Sequence, residues 1–244
     1  MGKDISRIIE GWEYRPDQIS VRKIMGDDGR EKIQMRLDLG LLQMATKGRP
    51  DGKRPHGKES LLEHYLALAR KNDDFVLDSE DCLELQREAI QYYYRYLSLF
   101  ELEEYEGVVR DTERNLRVFD FVAKYALHEK DKWAFEQYRP YVIMMNTRAK
   151  GLISLRNKDY SKALKQIEEG IKRIEAFFEE YDRADLVEEC AEVELLKKWA
   201  EEITKRRPLT RKEKLERMLQ EAVNNEEFEK AAKLRDRIRG LDKR

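Results

Sequence analysis

The segment Gly52-Lys-Arg-Pro-His-Gly57-Lys58-Glu59 nearly spells a phosphate-cradling P-loop, and a helical stripe follows it. The position that should offer a Ser or Thr hydroxyl to Mg²⁺ holds Glu59 instead, and a carboxylate there repels phosphate. Pro55 removes one backbone N–H from the would-be cradle. No run of buried parallel strands follows to support such a site. Nucleotide hydrolysis is therefore not expected. The loop is nevertheless basic. Lys47, Arg49, Lys53, Arg54 and Lys58 stand against Asp51, with His56 among them. Two readings stay open: Arg49, Lys53, Arg54, His56 and Lys58 hold a phosphate or an acidic peptide, or Pro and Gly simply set a rigid, solvated path from strand to helix.

Other reactive side chains form no constellation. His56, His64 and His128 lack ligand spacing, so no metal is expected. Cys82 and Cys190 are solitary, with no CxxC pair, which excludes a Cys-based zinc site or a disulfide framework. Tyr92, Tyr93, Tyr94 and Tyr96 could stack on bases, but consecutive helical residues face different directions, so packing is the better reading. No Ser-His-Asp or Cys-His arrangement can be argued. The expectation is a protein that is not an enzyme and uses no cofactor.

The elements that must position these residues read as mainly α. Lys+Arg number 49 and Asp+Glu 50, a balance that argues against a generally basic nucleic-acid coat but leaves room for a local basic patch. Few Gly (12) and Pro (5) in a highly charged chain suit soluble helices. No apolar run approaches the roughly 18 residues of a membrane span, and the N-terminus lacks a signal peptide's apolar core, so the expected location is the cytoplasm.

Three segments differ in period. Residues 1–58 carry strand signals. Ile33, Met35, Leu37, Leu39 and Leu41 alternate with mostly polar positions, which predicts one long strand over 31–43. Ile19 and Val21 begin an earlier alternation, and Gly26-Asp27-Asp28-Gly29 between them predicts a β-hairpin. An isolated hairpin is marginal in water, so its apolar face needs helices or a second subunit, and a homodimer is one expectation. Residues 59–207 read as successive helices. Asp78 or Ser79 caps one, another begins near Glu104, Pro140 restarts one, Asn157-Lys-Asp159 makes a turn, and Leu186 to Ile203 form the last. Within them, Gly151, Ala163 and Gly170 fall where a tetratricopeptide repeat needs small residues, and Glu104-Tyr105 echoes Asp159-Tyr160. This stretch is similar to such a repeat, though the first helix lacks its Trp and Leu, so a TPR-like helical bundle is expected beside an irregular one.

Residues 208–244 form a separate helical pair behind the basic linker Lys205-Arg206-Arg207-Pro208. Leu215, Met218, Leu219 and Ala222 make one helical stripe, and Asn224-Asn225 breaks it. Phe228, Ala231, Leu234, Ile238 and Leu241 make the facing stripe, with Ala231 and Ala232 small enough for close approach. Glu226, Glu227 and Glu229 open the second helix and Arg235, Arg237 and Arg239 close it, both favourable to the helix dipole. The run Phe228-Glu-Lys-Ala231-Ala232-Lys-Leu234-Arg235-Asp236-Arg-Ile238 resembles the UVR motif of UvrB and UvrC, with Met218 and Ala222 matching upstream. The resemblance covers about a seventh of the chain and implies a protein–protein contact.

Two short helices bury only part of their apolar surface against each other, so the rest must meet the protein's own body, a second copy or a partner. The leading expectation is an adaptor. It would bind a UVR-bearing or similarly grooved partner through Leu215, Met218, Leu219, Ala222, Phe228, Ala231, Ala232, Leu234, Arg235 and Ile238, in a setting linked to UvrABC-type DNA repair. The alternatives are an McsA-like regulator of a Clp protease or kinase system, which the missing CxxC pairs weaken, and nucleic-acid binding through residues 47–58 with Lys205, Arg206, Arg207, Arg211 and Lys212.

Overall fold

The computed structural model describes residues 4–208 and 211–241, and of the side chains in 211–213 and at Leu241 nothing is said. The chain divides into two compact units, Met1–Ala200 and Glu201–Arg244. The first holds a small antiparallel sheet and most of the helices; the second holds a two-helix hairpin.

After a one-turn helix, α1 (Ser6–Ile9), three strands form a meander in the order β1 (Val21–Met25), β2 (Glu31–Leu37) and β3 (Gly40–Ala45). The turn Gly26 to Gly29 joins the first pair as expected, closed by Gly29 N–H on the Gly26 carbonyl at 2.9 Å. The single long strand is corrected. Leu37 pairs with Gly40, so a tight turn at Asp38-Leu39 folds the alternation back on itself. Leu39 lies in that turn, 93% exposed, while Met44 is buried with Ile33, its partner across the strands. A polar ladder crosses the other face: Arg22 Nε donates to Gln34 Oε1 at 2.8 Å, and Gln34 Nε2 donates to Gln43 Oε1 at 2.9 Å. β2 packs on the helical body, so the sheet does not stand alone.

The helical body comprises α2 (Leu61–Ala69), α3 (Ser79–Glu101), α4 (Tyr105–Tyr125), α5 (Glu129–Glu136), α6 (Arg139–Arg156), α7 (Tyr160–Glu180) and α8 (Ala191–Arg206). The second unit begins inside α8, at Glu201. α3 packs on α4, α4 on α6 and α6 on α7. Their core is made by buried residues such as Leu85, Tyr96, Leu99, Val108, Val118, Val122, Ile143, Ile167 and Ile174. Asp78 caps α3 with a full capping box, and Pro140 stands in the first turn of α6, where its missing N–H costs nothing. The last helix of the body starts at Ala191 and not Leu186, because residues 184–187 close a short 3₁₀ turn first. Small residues mark close approaches. A Cβ on Gly170 would collide with Thr147 of α6, and one on Gly151 would come within 2.6 Å of the Trp199 ring of α8.

Several helix ends share one device. Glu103, Lys158, Asp182 and Glu226 adopt left-handed φ of 53–58°. In each case the next residue's N–H reaches back five residues, as Asp159 N–H does to the Ser154 carbonyl at 2.9 Å, and the left-handed residue's own N–H reaches back three. This is the Schellman closure, made here without the glycine that usually takes the left-handed position.

The second unit is built from α9 (Arg211–Asn224) and α10 (Phe228–Leu241), closed at Glu226 by that turn. Leu215, Ala222, Ala231 and Leu234 form its buried core, with Leu219 and Ile238 packed half-buried against it.

Candidate functional site

Two surfaces hold the residues that the sequence singles out. The first is the loop after β3. Its path is set from below by charges buried in the helices. Arg95, 1% exposed, makes a two-pronged ion pair with Asp111 at 2.7 and 2.8 Å. Its remaining prong, Nη1, donates to the carbonyls of Ala45 (3.0 Å) and Gly48 (2.7 Å). Arg110 adds a bond to the Thr46 carbonyl at 3.2 Å. A second buried carboxylate, Glu88, accepts from the Leu61 N–H at the start of α2 at 2.9 Å and contacts Arg114 and Arg49, the latter at 3.1 Å. Tyr92 lies between these groups, with the Arg114 guanidinium 4.1 Å from its ring centre and that of Arg95 at 4.9 Å. Burial pushes the Tyr92 hydroxyl up to about 12. Burial, with Arg49 and Arg117 near by, pulls the Arg114 guanidinium down to about 9, so it stays charged at neutral pH.

Arg49 is thus part of the internal framework and not a free anion ligand. Lys53, Arg54, His56 and Lys58 are exposed. The P-loop-like stretch forms tight turns, with Gly57 N–H on the Arg54 carbonyl and Lys58 N–H on that of Pro55, so these two donors serve the loop itself. His56 takes a left-handed φ of 50° and stacks on His64, ring centres 3.9 Å apart. Burial, followed by the charges of His56 and Lys58, depresses the His64 pKa. His128 sits apart, at the start of α5. Cys82 and Cys190 are both buried, and burial raises the Cys82 thiol to about 12. Of the tyrosines, Tyr92 and Tyr96 are buried, and Tyr93 and Tyr94 half-buried.

The second surface is the hairpin. Leu215, Ala222, Ala231 and Leu234 face each other between its helices and hold it together. Met218 is 45% exposed and Phe228 69%, and Ala232 and Arg235 are exposed as well. Val223, 45% exposed, is a further exposed apolar residue that the helical stripe read from the sequence omits. Its signal lay in its position: Val223 and Phe228 straddle the turn, so both end at the hairpin's closed end. Residues 210–244 match the family model described as UvrB/uvrC motif. The chain carries a UvrB/uvrC motif. In the motif's hairpin the shared residues thus divide between internal packing (Ala222, Ala231, Leu234) and outward display (Met218, Phe228). The side chains of Arg211, Lys212 and Leu241 lie outside the described residues. No curated protein and no solved structure matches the chain. Among the described residues no helix is long and apolar enough to cross a membrane.

Proposed function

We propose that this chain is a non-enzymatic adaptor of the cytoplasm whose UVR hairpin recruits a protein partner. The observation that carries the reading is the hairpin's division of labour. Among the described residues Leu215, Ala222, Ala231 and Leu234 pack between the two helices, yet Met218, Val223 and Phe228 stay exposed. Covering a side chain of the size of Phe228 is worth roughly 1.5–3 kcal/mol, so a partner that buries these exposed residues gains from them. The motif match supports a protein contact of the kind UVR motifs make, and a UVR-bearing protein, in a setting linked to UvrABC-type DNA repair, is the partner this reading favours. The helical body, read as a TPR-like scaffold, would carry the hairpin and the basic loop on one chain.

Co-purification from the native cell with the intact chain, a chain ending at Arg207, and the double variant Met218→Asp/Phe228→Asp tests this. The double variant leaves Leu215, Ala222, Ala231 and Leu234 in place, so circular dichroism should show its helices intact. A UVR-bearing protein should be retained by the intact chain and lost from both altered forms. Identical partner lists from all three would refute the reading.

A further inference from the structure

We propose that the free edge of β3 takes an extended acidic peptide from a partner protein as a fourth strand. This site is separate from the hairpin and does not rest on its function.

The edge is chemically open. In an antiparallel pair, alternate residues bond the neighbouring strand and the others point away. Ala45 points away, since its N–H donates to the Pro50 carbonyl at 2.8 Å and its carbonyl accepts from Arg95. Arg36, opposite Leu41, donates its N–H to Ser20 on the β1 side, not to β3. The same alternation therefore puts the N–H and C=O of Leu41 and Gln43 on the outer edge of the sheet, where no strand among the described residues pairs with them. Such an edge is a template for an added strand.

The side-chain ladder gives that edge a polarity. Arg22 can only donate, so Gln34 must present its oxygen to Arg22 and its amide nitrogen to Gln43. Gln43 then accepts through its oxygen, which leaves its Nε2 donor without a partner among the described residues. The next strand's matching residue must be an acceptor, and a carboxylate is the strongest one.

Charge around the edge agrees. A cleft of about 930 Å³ runs from Gln43 along the loop. Some of its charges are satisfied: Lys32 by Asp28 at 3.1 Å, Glu31 by Lys23 at 2.8 Å, Arg49 by Glu88. Among the described residues the side chains of Arg30, Lys47, Lys53 and Arg54 have no ion-pair partner, against one unpaired carboxylate, Glu59. No aromatic residue lines the cleft, so it offers no platform for stacked bases. That favours an acidic peptide over a nucleic acid. The buried Arg95–Asp111 pair fixes the loop carbonyls, so the cations are displayed from a rigid base.

The test is fluorescence anisotropy of a labelled peptide of alternating glutamate and valine with the full chain. Saturable binding that weakens with added salt is expected. Gln43→Glu keeps the acceptor for Gln34 but turns a carboxylate outward, and should weaken binding about tenfold or more. Lys53→Glu/Arg54→Glu should do likewise, and Phe228→Asp should change nothing. Binding that survives Gln43→Glu, or is lost in Phe228→Asp, overturns the proposal. So does failure of the peptide to bind while oligodeoxythymidylate binds. A dimer in light scattering that Gln43→Glu abolishes would assign the edge to a second copy and equally overturn it.

Discussion

Arg95 and Asp111 show how little of the loop's anchoring can be read from its own residues. Both side chains are 1% exposed, and Arg95 stands 47 and 50 residues along the chain from the Gly48 and Ala45 carbonyls it holds. A buried charge that loses its partner is left unsolvated, so Asp111→Ala should destabilise the protein by about 3–5 kcal/mol in chemical denaturation. Replacing both partners, as Arg95→Met/Asp111→Leu, removes the ion pair without orphaning a charge and should recover most of that loss. If the double variant proves as unstable as the single one, the pair is not the source of the cost. Arg49 carries the same lesson. As a letter in a basic stretch it is one more candidate anion ligand, and only the fold reveals that Glu88, far along the chain, already holds it. Sequence gives the type of a charge; whether it is spent depends on contacts that no spacing encodes.

His64 supplies a pH dependence with a definite sign. Burial and the nearby His56 and Lys58 hold its pKa below the ordinary imidazole value of 6.5. A histidine depressed on folding prefers to stay neutral in the folded chain. Its contribution is fully present above the unfolded value and is lost as pH falls through the folded one. The stacked rings of His56 and His64 should separate in the same window. In an NMR titration His64 should therefore titrate below 6.5, and His56→Ala should shift it upward. A His64 that titrates above 6.5 would contradict this placement.

At the scale of elements, the helices were largely legible and their ends partly so. Asp78, Pro140 and the Asn157-Lys-Asp159 turn mark boundaries by their own chemistry, and the structure uses each as expected. The left-handed closures at Glu103, Lys158, Asp182 and Glu226 carry no glycine, so the residue type does not announce the left-handed position even where Asn157 or Asn224-Asn225 marks a turn. That makes them improvable. Lys158→Gly should relieve the Cβ strain of a left-handed φ and raise stability by about 0.5–1 kcal/mol, seen as a higher melting temperature. No change or a loss would mean that the lysine makes compensating contacts. The sheet misled for a different reason. A two-residue turn keeps the spacing of apolar letters even while the chain reverses, so Ile33 to Leu41 mimics one strand. Asp38 and Gly40, both turn-formers, and the buried Met44 were the signals against it.

For the molecule as a whole, the two units differ in what holds them. The first has a continuous core of helices around Leu85, Val108, Val122, Ile143 and Ile174. Among the described residues the UVR hairpin has four buried apolar residues and two partly buried ones packed on them. Local opening costs less where fewer apolar contacts are lost, so native-state hydrogen exchange should show two classes. Amides in α3, α4 and α6 should exchange slowly and those in α9 and α10 faster. A partner that binds the folded hairpin stabilises it by mass action. Adding that partner at saturating concentration should therefore slow exchange in α9 and α10 and leave α3 and α4 unchanged. Met218→Asp/Phe228→Asp should abolish the slowing without altering the exchange of the free hairpin, because those side chains lie outside its core. Slowing confined to the first unit would place the partner elsewhere and leave the hairpin's exposed end without a role.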